Sequence, residues 1–491
     1  MIKNRMKKLQ SWKTLVFLAA LSIGILTAVR YGVLIWNDAR PNVVLITIDA
    51  LRADHLGCYG YRKDTSPNID LFAKDAVIFS QCYSTSSSTT TATPGLLTGR
   101  YLLPSDCTQP LVPLSGKYRM LAEYLKKAGY FTAGLVTNGV YMGSTGYERG
   151  FDFYPSSSRY FPEMRQDFIS AELKGGSHAS DVNADKFTTF SLWSLRLMSA
   201  YSRPKPFFLW LHYIDPHAPY AAPEKFQKMF EDAISQVSNK NETLLRLNPH
   251  PGQNRHLSNG FIPPIVFKNG RYDADYYRAS YDAEICFTDF HLARLLQEIP
   301  ENSIVVITAD HGESLGEHGV YFSHGENIYD ELLHIPLIIR DKGFFRRGVI
   351  VDTPVSAVDI VPTILKRVMP LWYFFNRHRF DGRALQDVVR SGISRGYVYS
   401  YGDGRWSIRQ TKGNIKYILN KDGSEELFRL PDEEHNRLST QEQGVAEVRE
   451  RLRNHLELWL RKYPLRSDDD RKDISPPDSV KDNLRSIGYL Q

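Results

Sequence analysis

Three short stretches of this 491-residue chain place acids and imidazoles where an apolar run ends. In Thr47-Ile48-Asp49 a carboxylate closes the run 43–48, and in Thr308-Ala309-Asp310-His311 an acid and an imidazole follow 304–308 side by side. The third, Leu211-His212-Tyr213-Ile214-Asp215-Pro216-His217, grows out of 207–214. A lone acid at such a place is commonly no more than a helix N-cap. Two acids and an imidazole delivered together imply more, because buried charge is costly without a partner. A cation is the natural partner for Asp49 with Asp310 and His311.

A run of hydroxyls, Ser84 to Thr93, leads into Pro94-Gly95 and Leu96-Leu97-Thr98-Gly99-Arg100. Flexible linkers share that composition. Its position, between an apolar strand near Ile78 and a helix start, suits a hydroxyl at a helix N-terminus acting as nucleophile toward an anionic ester. His217 and His324 lie in turn-rich contexts, where an imidazole binds ester oxygens or protonates a leaving group. His212 and His318 are placed among the structural histidines.

The elements that must position these groups follow from the hydrophobic pattern. The runs 43–48, 131–136, 207–214, 304–308 and 335–339 predict buried parallel strands. Helical spacing over 119–128, 181–198 and 281–299 alternates with them, which predicts an α/β fold with the ligand site beyond the carboxyl ends of the strands. The segments 155–180 and 223–272 read as insertions. From residue 396 the pattern changes to short strands at 406–410, 415–419 and 426–430 and a helix over 446–460. A charged, solvated tail over 467–481 follows.

The chain therefore divides into a basic segment 1–14, an apolar segment 15–36, a catalytic domain 38–395 and a small C-terminal unit 396–491. Lys3, Arg5, Lys7, Lys8 and Lys13 supply nearly all of the net charge of +6. With the remainder near neutral and no zinc-finger spacing, a nucleic-acid partner is not expected. The basic start followed by 15–36 predicts a signal-anchor, hence a single-pass protein of the cell membrane with everything after Asn37 on the extracytoplasmic side. Four cysteines, Cys58, Cys82, Cys107 and Cys286, fit an exported protein without a dense disulfide framework.

The order of these motifs resembles the sulfatase family of the alkaline phosphatase superfamily, from about Pro41 to the C-terminus. Pro67-Asn68-Ile69-Asp70, Leu96 to Arg100, Gly150-Phe151-Asp152, Val358-Asp359-Ile360-Val361-Pro362-Thr363 and Ile487-Gly488-Tyr489-Leu490 carry the resemblance. It implies an alkaline-phosphatase-like fold, a large mixed sheet between helices with a small C-terminal antiparallel sheet. It also implies metal ligation by Asp49, Asp310 and His311, and contact of His217 and His324 with the transferred group or the leaving oxygen. The family's Cys-x-Pro-x-Arg motif, whose Cys or Ser becomes formylglycine, falls here on Thr89, Thr91 and Thr93. The second acid is Ala50, and Asn138 stands where a substrate-pocket lysine is usual.

The set Asp49, Thr89, Asp310 and His311 is similar to the sites of lipoteichoic acid synthases and phosphoethanolamine transferases, with a threonine nucleophile. Imidazole in place of hard oxygen ligands favours one zinc or manganese ion over calcium. The expected activity is hydrolysis or transfer of phosphate-type esters, lipid- or glycan-linked, through Thr89. His217 serves as the acid, and His217, His324 and Asn138 bind substrate. The alternatives are a sulfuric ester hydrolase of the same fold and a tethered binding protein that has lost catalysis.

Overall fold

The computed structural model describes residues 40–102, 114–138, 146–155, 183–201, 205–234, 245–247, 261–263, 266–268, 271–392, 395–431, 433, 435, 437–438 and 444–462. The expected basic segment 1–14, the apolar run 15–36, Cys107, nearly all of 155–180 and the tail 467–481 lie outside the described residues. Among the described residues, no helix is long and apolar enough to cross a membrane.

Seven strands form the central sheet. In chain order they are β1 (Asn42–Ile48), β2 (Val77–Phe79), β3 (Phe131–Val136), β4 (Phe207–Tyr213), β5 (Ser303–Ala309), β6 (Leu337–Arg340) and β7 (Val349–Val351). Across the sheet they run β7-β2-β6-β5-β1-β4-β3. β1, β4 and β5 are buried along almost their whole length, as strands covered on both faces must be, which is why they read as unbroken apolar runs. β3, β4, β1 and β5 are parallel, as the pattern predicts.

The strand expected over 335–339 is not parallel: β6 pairs antiparallel with both β5 and β2. Among the elements between β5 and β6, the one α-helix is the four-residue Asp330–Leu333. That is too little to carry the chain to the far edge, so it re-enters in reverse.

Helices α3 (Ala184–Tyr201) and α4 (Glu224–Ile234) pack against α5 (Ala274–Glu298). A second group, α1 (Thr89–Thr98), α2 (Leu121–Lys127) and α7 (Pro370–Asn376), gathers on α6 (Ile360–Val368). α5 starts at Ala274, ahead of the expected 281, because Asp273 caps it by accepting the Tyr276 N–H at 2.9 Å. The segment 223–272 is not wholly an insertion: α4 buries Phe226 and Phe230 in the main core. Cys58, Cys82 and Cys286 are free thiols.

Four antiparallel strands, β8 (Tyr397–Gly402), β9 (Arg405–Gln410), β10 (Ile415–Leu419) and β11 (Glu425–Arg429), form the C-terminal sheet. Helix α8 (Val445–Leu460) covers it, with Leu452 and Leu456 against Ile408 and Tyr417. This unit grips the hydroxyl-rich segment. The Tyr401 N–H donates to the Thr85 carbonyl at 2.9 Å and Ser400 Oγ to the Ser84 carbonyl at 2.7 Å. A Cβ at Gly402 would stand 2.6 Å from Ser87 Oγ, so only glycine admits this approach.

The junction also buries charge. Lys416 on β10, 1% exposed, lies 3.0 Å from Asp330 and 2.7 Å from Glu433 and donates to the Ile328 carbonyl at 2.7 Å. Removing one partner of such a cluster strands the others without compensation. Lys416→Met is therefore expected to destabilise the protein by about 3–5 kcal/mol in a urea titration. A loss below about 1 kcal/mol, the scale of an exposed pair, would contradict a buried junction.

Candidate active site

Parallel register places the acids. β1 pairs with β5 through Ile48↔Ala309 and with β4 through Thr47↔His212, so the next residues, Asp49 and Asp310, emerge side by side at the carboxyl edge. Beyond Asp49 the chain turns at Ala50, a non-glycine residue at φ 55°, and the Ala50 N–H points to Asp310 Oδ1 at 3.4 Å. Such backbone is held only where its surroundings over-determine it.

Asp49 is fully buried and its two oxygens have different tasks. Oδ2 takes the Asn138 amide at 2.6 Å and faces His212 Nε2 at 3.2 Å. Oδ1 faces inward, 3.5 Å from Thr89 Oγ1 and 3.6 Å from His311 Nε2. Burial acts to raise the Asp49 carboxyl, but the charge of His217 and the hydrogen bond and charge of His212 hold it well below the usual carboxylate range.

His311 is oriented by its other nitrogen. Nδ1–H donates to the Gly312 carbonyl at 2.8 Å, leaving the Nε2 lone pair to face Thr89 Oγ1 at 2.9 Å and Asp310 Oδ2 at 3.6 Å. Asp310 is tied by Oδ1, which accepts the His311 N–H at 2.9 Å; its buried Oδ2 has no hydrogen-bond partner. An orphaned buried carboxylate oxygen facing an imidazole lone pair and a second carboxylate fits a cation. Asp49, His212 and Asp310 also offer ligand atoms within 4.8 Å of one another.

Thr89 is the first residue of α1 and fully buried. Its neighbours are turned elsewhere: Thr91 Oγ1 donates to the Ser88 carbonyl at 3.1 Å, and Thr90 Oγ1 meets Ser88 Oγ at 3.3 Å. Of the three consecutive threonines, Thr89 faces the acids.

Two more imidazoles close the site. The His217 and His324 rings are 4.8 Å apart, and His324 is 4.4 Å from His311. His217 commits Nδ1–H to the Ala218 carbonyl at 2.8 Å, and His324 Nδ1 meets Glu313 Oε1 at 3.0 Å. These contacts fix the orientation of both rings. Burial works to raise Glu313, but the charge of His324, its hydrogen bond and the charge of His217 lower it on balance.

The structure thus gathers Asp49, Thr89, Asn138, His217, Asp310, His311 and His324. Asn138 contacts the Asp49 carboxylate. Sequence reasoning missed two participants. His212, set aside as structural, abuts Asp49; the signal was its register opposite Thr47, two residues before Asp49, which requires knowing the strand pairing. Glu313, three residues after Asp310, is the second; its adjacency to the Asp310-His311 pair was the signal.

Asp215, expected at the same edge, instead accepts the Ala184 N–H at 2.6 Å at the start of α3. His318 keeps its structural reading, stacked on Tyr329 at 3.7 Å with Nε2 3.8 Å from Glu331.

The family model described as Sulfatase matches residues 41–368. The Escherichia coli (strain K12) protein named Uncharacterized sulfatase YidJ is 28% identical over 345 residues, 66% of this chain and 67% of that one. The Multifunctional alkaline phosphatase superfamily protein PehA of Trinickia caryophylli is 27% identical over 410 residues, 72% of this chain and 78% of its own. Among solved structures, the phosphonate monoester hydrolase of Agrobacterium radiobacter superposes with a TM-score of 0.63 at 21% identity, over 87% of this chain and 96% of that one. That likeness is one of fold.

Because the Asn138 amide fixes the outer oxygen of Asp49, it acts on whatever Oδ1 binds. Asn138→Ala is expected to weaken divalent-metal affinity about 10–100-fold in a chelator competition, the range for lost outer-shell partners. Unchanged affinity would show that Asp49 is oriented without it.

Proposed function

The chain belongs to the sulfatase family and is a metal-dependent ester hydrolase of it, and on that premise we propose that it cleaves or transfers phosphate-type esters through Thr89. One observation carries this reading. At the position of the family's formylglycine residue stands a buried threonine, 2.9 Å from His311 Nε2 and 3.5 Å from Asp49 Oδ1 at a helix N-terminus.

The residues that would hold the ion are Asp49, Asp310, His311 and Thr89. Such a divalent cation, when bound, neutralises anionic ester oxygens and eases ionisation of a neighbouring hydroxyl. A set with one imidazole, and with Ala50 in place of a second acid, favours zinc or manganese over calcium. Thr89 Oγ1 attacks phosphorus as the bond to the leaving alcohol breaks. His217 Nε2 gives the departing oxygen its proton, and His324, aligned by Glu313, binds the ester oxygens. Water or an acceptor hydroxyl then releases the group from Thr89. Asn138 supports Asp49 and is the third residue of the reading's substrate-binding set, with His217 and His324.

The reading includes a lipid- or glycan-linked anionic substrate and an extracytoplasmic catalytic domain tethered by 15–36. The basic residues before that run and its apolar length support the tether. Sulfuric ester hydrolysis is the second reading, favoured by the family description and by the name of the Escherichia coli relative. It lacks an evident route for releasing a threonyl sulfate.

Parallel assays of p-nitrophenyl sulfate, phosphate, phosphonate and bis-phosphate esters separate the two. Turnover of a phosphoryl ester is expected, with a covalent adduct mapped by mass to Thr89. Loss in Thr89→Ala should be on the order of 10³-fold or more. Turnover of the sulfate ester alone, abolished in Thr89→Ala, would overturn the phosphoryl reading.

A further inference from the structure

The chemistry leaves one surface unused, at the opposite edge of the sheet. Helix α7 turns three large apolar side chains outward: Leu371 is 76% exposed, Phe375 71% and Phe374 58%. Leaving such side chains in water forgoes the hydrophobic stabilisation that burial would give them. Isolated exposed hydrophobics need no explanation, but a contiguous group marks a contact site.

A basic rim borders it. Arg377, His378 and Arg379 follow α7 in a single exposed turn, with the Arg377 guanidinium 5.4 Å from the Phe374 ring centre. The β6–β7 loop lies at the same end, because Arg367 of α6 donates to Asp341 at 2.9 Å, and there Phe344 is 45% exposed. Lys342 and Arg347 are already paired with Glu301 and Asp75, so the attraction for anions falls to Arg377, Arg379 and the exposed Arg346 of the same loop.

The position of this surface selects its occupant. Arg40, which leads into β1, is at the same end: its guanidinium lies 5.2 Å from the Tyr130 ring, and Arg40 and Arg367 are both near enough for their charges to act on the Tyr130 hydroxyl. Trp372 of α7 packs 5.2 Å from Tyr124 of α2, the helix that leads to Tyr130. In sequence, only Asn37, Asp38 and Ala39 separate the apolar run ending at Trp36 from Arg40. An extended chain of that length reaches at most about 15 Å. A bilayer holding the run therefore lies close to α7, while the catalytic edge stands roughly 20 Å away at the far end of β1.

We propose that α7 and the Phe344 loop form a membrane-docking surface for an anionic bilayer. Leu371, Phe374, Phe375 and Phe344 enter the interfacial layer, and Arg377 and Arg379 meet lipid phosphates. Docking points the catalytic edge away from the lipid surface, which selects, of the two substrate classes proposed above, the glycan-linked ester over a lipid headgroup in the same bilayer. The inference rests on the membrane location proposed above and is independent of whether a phosphate or a sulfate ester is cleaved.

The test uses the full chain with a protease site placed between Asn37 and Arg40, reconstituted into phosphatidylcholine vesicles with or without phosphatidylglycerol. After cutting, the released domain should sediment with the anionic vesicles and leave them at about 1 M salt. The variant Leu371→Ser/Phe374→Ser/Phe375→Ser should be retained at least about ten-fold less, with its thermal midpoint unchanged. Release of the unsubstituted domain from anionic vesicles, equal retention of the variant, or sedimentation without vesicles as a self-associated species each overturns the proposal. Alkaline extraction of the uncut chain would sink the anchor instead, and leaves sedimentation of the cut domain to decide the docking.

Discussion

Two carboxylates removed from water and set side by side cannot both stay ionised without countercharge, and the rest of this structure is arranged around that constraint. Asp49 and Asp310 leave adjacent parallel strands at the same level, and both are buried. His217, His212 and the Asn138 amide supply part of the compensation, holding Asp49 ionised. The orphaned Asp310 Oδ2 remains, and with Asp49 Oδ1 and His311 Nε2 it describes a place for one cation.

The architecture serves that place from two sides. The parallel core β3-β4-β1-β5 fixes the acids and His212 through backbone pairing, so their spacing is set by sheet geometry and not by loops. The nucleophile comes from elsewhere. Thr89 begins a helix whose preceding segment is held by the Ser84 hydroxyl on the Asp310 carbonyl, and by Tyr401 and Ser400 of the C-terminal sheet. The small C-terminal unit is therefore part of the positioning apparatus, and its buried Lys416 cluster matters to Thr89 as well as to stability.

Much of this was legible in the sequence, for identifiable reasons. Apolar runs ending in Asp49 and Asp310-His311 forecast both strands and site, because a carboxylate is costly within a buried strand and its arrival marks the strand's end. Several buried or half-buried acids outside the site serve as acceptors for backbone N–H groups. Asp289 binds the Asn68 and Ile69 N–H groups at 3.0 and 2.7 Å, Asp152 binds that of Thr132 at 3.0 Å, and Asp359 those of Ser356 and Arg383 at 2.9 and 2.6 Å. Long-range register was not legible. His212 looked like any core histidine until β4 was aligned with β1, Asp215 was placed at the carboxyl edge with His217 while its bond to the Ala184 N–H depends on a distant helix start, and the reversed direction of β6 leaves no mark on its composition.

The central claim is that Asp49, Asp310, His311 and Thr89 surround a single ion. Anomalous diffraction at the zinc and manganese absorption edges from crystals of the metal-loaded protein tests it most directly. The account predicts one strong peak within about 2.0–2.2 Å of the Asp49, Asp310 and His311 ligand atoms. No peak there, or a peak confined to the second cluster of His318, Glu331 and Glu433, would contradict it.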